Sequence, residues 1–324
     1  MHVQFLGNHG GYSGAALWHL QDGVSGKQFC LRRWPVQSGQ SARVRWIHRL
    51  LNQAVEQGFN HRLLPIPQKT SCGQTAFVQE NVVYELTDWL PGAASFWEKP
   101  GVAKIRSVAV RLAEFHNAWR NCCREPDLQE KPLPGIQKRI AFIDELNQGL
   151  LMKIRFALDS DFENPDFPSE PFRGLANRAL DCFDKLNPAL RAQLGVCREK
   201  RYGQQMCIKD IWHDHVLFRD NQVSGIVDFG AIGIDNVATD VSRLFGSLLG
   251  NSGEDWDVAL EHYQGVRELS NAERELIVVY DRSTTMLAGL NWLRWILIEN
   301  RKFESYLPIT QRMELLVNRL DEWI

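Results

Sequence analysis

The sequence predicts an α+β protein with a small β-rich N-terminal lobe, residues 1–90, and a larger helical C-terminal lobe, residues 91–324. Short apolar runs broken by glycine and proline dominate the first ninety residues, with a single helical period among them. From residue 101 onward, apolar residues recur at spacings of three and four. Residues 207–230 interrupt that helical pattern with two apolar runs across a short polar turn, the signature of a β-hairpin.

Composition narrows the function classes. A chain of 324 residues, 44% of them hydrophobic, can bury a sizeable core in one large or two modest domains. A net charge of −2 supplies no field for nucleic acid or an anionic membrane. No run of about eighteen apolar residues is present to cross a bilayer. Met1-His-Val-Gln-Phe-Leu lacks the basic-then-apolar pattern of a signal peptide. The seven cysteines are scattered apart from Cys122-Cys123, with no Cys-x-x-Cys, so a reduced, cytoplasmic protein is expected.

In chain order, Leu6-Gly7-Asn8-His9-Gly10-Gly11-Tyr12-Ser13-Gly14 is glycine-rich. It is either a loop whose N–H groups can approach a phosphate or a plain hairpin turn. Strands are expected over Ala15–Leu20 and Phe29–Trp34, and the second carries Arg32, by itself an ordinary surface arginine. Val44, Ile47, Leu50, Leu51, Ala54 and Val55 predict a helix over Ser41–Gln57, ended by Gly58. Strands over Thr75–Gln79 and Val82–Leu86 lead into Tyr84-Glu85-Leu86-Thr87-Asp88-Trp89-Leu90-Pro91-Gly92, a strand running into a turn.

A helix is expected over 101–119, and its His116 reads as a core or helix-end histidine. Residues 122–135 form a loop, 136–158 a helix, and Asp159–Pro171 an acidic surface excursion whose acids could face a cationic ligand or only solvent. Two helices follow, Gly174–Leu186 and Pro188–Leu194. The tail is helical over Trp256–Val266, Asn271–Asn300 and Ile309–Trp323. Trp292 and Trp295 share one helix there, as core packing or as a pocket for a cation or sugar.

Most of the chemistry-bearing residues sit in the central stretch. It runs Cys207-Ile-Lys-Asp210-Ile-Trp-His213-Asp214-His215-Val-Leu-Phe218, then Arg219 to Gln222, then Val223-Ser-Gly-Ile-Val227-Asp228-Phe229-Gly230. The hairpin geometry brings Asp210, His215 and Asp228 to one end of the ribbon. Acid, imidazole and acid at one mouth suit a divalent metal and a proton acceptor. Asp214 is a second loop acid able to stand in for Asp210. His213-x-His215 with Asp210 or Asp228 is an alternative transition-metal site, and a purely structural polar loop is the third reading.

Taken in order, these motifs resemble the aminoglycoside phosphotransferase and choline kinase-like group, relatives of protein kinases. Its catalytic segment reads His-x-Asp-x-x-x-x-Asn, apolar residues, a hairpin and Asp-Phe-Gly. The resemblance implies a two-lobed protein-kinase-like fold and an ATP-dependent phosphotransferase acting on a hydroxyl of a small molecule. It places the catalytic acid at Asp210 and Mg²⁺, or Mn²⁺, between His215 and Asp228. Gly11, Ser13, Gly14 and Arg32 fall on nucleotide-phosphate positions, and Glu85 and Leu86 fall in the adenine-binding hinge between the lobes. Asp240, in Asp235-Asn-Val-Ala-Thr-Asp240, matches a structural acid that braces the catalytic loop, with helix N-cap as its other role. The chain departs from the pattern at Ile208 (His in the family), His215 (Asn) and Arg32 (Lys). The helix over 41–57 also lacks the mid-helix Glu that pairs with that Lys. These departures leave a second reading, a pseudokinase that binds nucleotide or protein without turnover.

Overall fold

The computed structural model describes residues 1–7, 14–37, 39–120, 122, 132–160, 170–303 and 305–324. These form two compact units, the first of residues 1–124, 205–234 and 247–268, the second of residues 125–204, 235–246 and 269–324.

The first unit opens with strands β1 (His2–Gly7), β2 (Ala16–Gln21) and β3 (Gln28–Arg33), helix α1 (Gln40–Glu56), and strands β4 (Phe77–Gln79) and β5 (Val82–Asp88). The strands make one antiparallel sheet in the order β1-β2-β3-β5-β4. Its register sets Arg32 between Leu17 on one side and Glu85 on the other. Opposed residues share a face, so Arg32 and Glu85 point the same way. Val44, Ile47, Leu50, Leu51 and Ala54 of α1 are buried along one stripe, as the spacing predicts. Gly58, at a φ of 93°, then closes the helix.

Helix α2 (Val102–Trp119) holds the rest of this unit together. Its Phe115 packs on Phe59 and Trp119 at ring separations of 5.0 and 4.2 Å, and Trp119 Nε1 donates to the Leu50 carbonyl. His116 is a satisfied core histidine, fully buried with Nδ1 2.6 Å from the Tyr263 hydroxyl of α7, given below. Farther along lie β6 (Gln205–Cys207), a 3₁₀ turn at His213–His215, and the hairpin β7 (Val216–Arg219) and β8 (Gln222–Ile226), with the strand–turn–strand order expected. Ser107 of α2 accepts from Val223 N–H at 2.9 Å, and buried Lys104 lies 5.0 Å from the Phe218 ring, so α2 clamps the hairpin. The stretch after β5 is fastened to the same hairpin. Ala93 and Phe218 exchange two backbone hydrogen bonds, and Ser224 Oγ donates to the Pro91 carbonyl. Gly92 permits this approach: its φ is 103°, and a Cβ there would fall 2.5 Å from the Phe218 carbonyl oxygen. After β9 (Gly233–Asp235) and α6 (Ala238–Leu249), α7 (Gly253–Gln264) packs against α2.

The second unit is helical: α3 (Pro134–Glu145), a π turn at Leu146–Leu150, α4 (Leu151–Ser160), α5 (Glu170–Glu199), α8 (Asn271–Leu293) with a π turn at Arg294–Ile298, and α9 (Leu307–Asp321). Where the sequence predicts two helices separated before Pro188, the structure has one thirty-residue helix with Pro188 inside it. Packing of α5 against α3, α8 and α9 overrides the break, and Asn187 Nδ2 donates to the Phe183 carbonyl one turn back. Trp292 is a core residue, while Trp295 carries the Arg301 guanidinium over its ring at 4.6 Å. Asp240 is fully buried but lies third in α6, not at its cap; the Asn236 side chain accepts from Ala238 N–H there instead.

Candidate active site

Four segments of the first unit meet at Asp228. The carboxylate follows β8 with a left-handed φ of 60°, a conformation that costs a non-glycine residue energy and gathers at functional sites. It is held there from behind. Phe229 is buried against Phe115 and Trp119, with ring centroids 5.7 and 6.3 Å away. Gly230 and Ile232 give their carbonyl oxygens to the Arg43 guanidinium of α1. The loop that carries Asp228 is therefore fixed by an aromatic plug on one side and a cation on the other.

The two carboxylate oxygens have different neighbours. Oδ1 accepts from Arg32 Nη2 at 3.1 Å and from Gly230 N–H at 3.4 Å. Oδ2 faces His215 Nε2 at 3.9 Å. Burial pushes the Asp228 carboxyl up, but Arg32 and then His215 outweigh it and hold the group below the usual carboxylate range. Asp228 therefore stays ionised. Arg32 is itself positioned by stacking on the Trp34 indole, 4.0 Å from its centroid. Its Nε is buried and makes no hydrogen bond among the described residues. A buried guanidinium N–H left in that state calls for an acceptor such as a phosphate oxygen.

His215 is oriented with equal care. Its Nδ1 lies 2.8 Å from the backbone carbonyl of Asp210. A carbonyl oxygen can only accept, so Nδ1 carries a proton, and whenever the ring holds no second proton its lone pair lies at Nε2. That nitrogen points at Asp228 Oδ2 and lies 3.8 Å from Asp214 Oδ1. Two ligands each about 2.1 Å from one ion stand about 3–4 Å apart, so Nε2 and Oδ2 fit a shared divalent cation. Among the described residues no cluster of three or more His, Cys, Asp or Glu side chains forms a metal site. A cation held here takes the remainder of its shell from phosphate oxygens and water.

Asp210 sits one step away, tied to His215 through its own carbonyl. Trp212 Nε1 donates to its Oδ1 at 3.2 Å, fixing the carboxylate plane. Lys209, just before it, is a second non-glycine residue in the left-handed region, with a φ of 68°.

The structure thus brings Arg32, Asp210, His215 and Asp228 together. Gly14 has a φ of 74°, whereas Gly11 and Ser13 lie outside the described residues. Glu85 and Leu86 lie within β5. The Glu85 carboxylate pairs with His48 of α1 at 2.6 Å, and the Leu86 carbonyl accepts from Gln68 N–H. A helix-to-strand contact is therefore present with the roles exchanged: the helix supplies the imidazole and the strand the carboxylate. Thr75 Oγ1 holds the ring's other nitrogen, Nδ1, at 2.9 Å. Arg32, released from any helix partner, pairs with Asp228 instead. Arg43, His48, Trp34 and Trp212 carry no motif signal, so the sequence did not point to them.

A protein-family model described as the phosphotransferase enzyme family matches residues 5–276. The chain belongs to that family. A comparison with curated protein sequences found no match. Among solved structures, this phosphotransferase is similar to a spectinomycin phosphotransferase bound to ADP and spectinomycin, at 11% identity over 98% of this chain and 92% of that one, with a TM-score of 0.66. An aminoglycoside phosphotransferase from Alicyclobacillus acidocaldarius is 18% identical, with coverage of 99% and 90% and a TM-score of 0.57. An ethanolamine kinase from Plasmodium vivax is 14% identical, with coverage of 99% and 81% and a TM-score of 0.57. At these identities the likeness is one of fold, and it confirms the protein-kinase-like α+β architecture.

Proposed function

We propose that this phosphotransferase is an ATP-dependent kinase that moves the γ-phosphoryl group of ATP to a hydroxyl of a small molecule. The observation that carries the reading is the convergence of Asp210, His215, Asp228 and Arg32 in one constellation, at the spacing of the family's catalytic segment. The acceptor oxygen forms a bond to the γ-phosphorus while the bond from that phosphorus to the bridging oxygen breaks, and ADP leaves with the electron pair. The acceptor's proton goes to the Asp210 carboxylate, whose orientation the Trp212 N–H sets. Arg32 offers its fork, including the unpaired Nε–H, to phosphate oxygens. Mg²⁺, when bound through Asp228 and His215, would neutralise charge on the transferring phosphate. The turnover-free alternative is not favoured, because both acids are in place and Asp228 is kept ionised.

The finer points belong to the same proposal. The solved relatives name spectinomycin, an aminoglycoside and ethanolamine, which supports a small-molecule hydroxyl acceptor. A net charge of −2 supports neither nucleic acid nor a membrane surface as partner. Among the described residues no helix is long and apolar enough to cross a membrane. Among the described residues Cys30, Cys72, Cys182 and Cys197 form no disulfide, which supports a reducing, cytoplasmic location. The lobe boundary near residue 90 rests on the end of β5 at Asp88 and the Pro91-Gly92 turn behind it.

The test is transfer of labelled γ-phosphate to a panel of amino-alcohols, aminoglycosides and nucleosides. Transfer to at least one, abolished in both Asp210→Asn and Asp228→Asn, is the expected result. Transfer that survives both substitutions would overturn the reading.

A further inference from the structure

The geometry points to a phosphate-metal site that selects a first-row transition ion of the Mn²⁺ kind over Mg²⁺, with His215 Nε2 as a direct ligand beside Asp228 Oδ2. The inference rests on the kinase reading, since phosphate oxygens must complete the shell.

Three observations support it. The Nδ1–H bond to the Asp210 carbonyl fixes the ring so that its lone pair emerges at Nε2, the arrangement that outer partners impose on metal-binding histidines. The Asp228 carboxylate is held by its other oxygen, to Arg32 and Gly230 N–H, which leaves Oδ2 turned toward that nitrogen at 3.9 Å. Residue 215 offers an imidazole where the resemblance implies an amide, with Asp214 Oδ1 3.8 Å from its Nε2. Mg²⁺ is a hard ion that demands near-ideal octahedral oxygen and sheds water reluctantly, so a nitrogen at this position costs it affinity. Mn²⁺ binds carboxylate and phosphate oxygen equally readily and also accepts imidazole within the series of divalent transition ions. The replacement of the amide by an imidazole therefore changes which ion the site prefers while leaving the phosphate chemistry intact.

The experiment is pulsed electron paramagnetic resonance of Mn²⁺ on the full chain with ADP, joined to competition by Mg²⁺. The expected result is a nitrogen-14 modulation from one directly bound imidazole, kept in His213→Asn and lost in His215→Asn. The Mg²⁺ concentration needed to displace Mn²⁺ should fall by about tenfold or more in His215→Asn. ADP binding with Mn²⁺ but without the nitrogen signal in the wild-type protein overturns the inference and leaves the kinase reading standing. An unchanged displacement ratio in folded His215→Asn does the same. Failure of ADP to bind with either ion overturns both. The wild-type spectrum decides the matter even where a variant does not fold.

Discussion

Arg32–Asp228 in the sheet-bearing unit and Arg319–Asp281 in the helical unit are the same chemical pair, with Nη2 to carboxylate distances of 3.1 and 2.6 Å. Their balance of forces is opposite. The Asp228 side chain is 38% exposed, and the cations around it win, so its carboxyl is held down. The Asp281 side chain is 13% exposed, and there burial wins over Arg319, so its carboxyl is pushed up. Arg319 also donates to the Gly246 carbonyl, and a Cβ at Gly246 would fall 2.2 Å from Asp281 Oδ1, so the second pair is locked in place. The contrast separates two uses of one interaction. At Asp228 the pair keeps the carboxylate charged, with Oδ2 turned to His215. At Asp281 it joins α8 to α9 and exists at some cost to the charge itself.

The comparison breaks most sharply in kinetics. Asp210→Asn and Asp228→Asn should each lower turnover by about 10²–10⁴-fold; measured on the same preparations, the urea midpoint should barely move for Asp210→Asn and should fall for Asp228→Asn, which takes the carboxylate from Arg32. Asp281→Ala should do the reverse. It strands a buried guanidinium and should cost about 3–5 kcal/mol in urea unfolding, while turnover per folded molecule stays close to wild type. Arg32→Lys tests the fork: it keeps the charge but gives up the bidentate geometry and the stacking on Trp34, so ADP should bind several-fold more weakly by calorimetry.

The pH dependence of stability follows with opposite signs. The folded pKa of Asp228 lies below the unfolded value of about 3.9, so its contribution is present above that pH and is lost as pH falls through the folded value. The folded pKa of Asp281 lies above its unfolded value, so its contribution is greatest in acid and is lost as pH rises from about 4 through the folded value. Unfolding of Asp281→Asn by urea between pH 4 and 7 should lack that downward slope. The smallest effect belongs to Lys200–Glu275, a solvent-facing pair with side chains 38% and 60% exposed. Lys200→Ala should leave the unfolding midpoint where it was, which would show that pairing without burial does neither job.

The strand-rich beginning, the α1 stripe, the hairpin and the helical tail were all legible, because each rests on local periodicity that a linear sequence displays. The meeting of Asp210, His215 and Asp228 at one end of the ribbon was legible too, since they flank a hairpin of fixed length, while their roles stay with the proposal. Pro188 misled because a local rule against proline in helices yields to packing along a thirty-residue element. The partners of the charges were not readable. Arg32 meets Asp228 across 196 positions and Arg43 meets Gly230 across 187, and no spacing rule reaches that far. The exchange of roles between His48 and Glu85 was hidden in another way. The sequence showed that a helix acid was missing, but not that the strand had supplied it.

The Phe229 ring, wedged beside Phe115 and Trp119, has a consequence for the backbone beside it. Withdrawing a buried phenylalanine from its slot costs about 3–5 kcal/mol, judged from what deleting one does. The Asp228 backbone next to it is therefore pinned at rest. Hydrogen exchange along the Asp228–Gly230 backbone should accordingly be slow before any nucleotide arrives, and quicken when Phe229 is cut back to alanine.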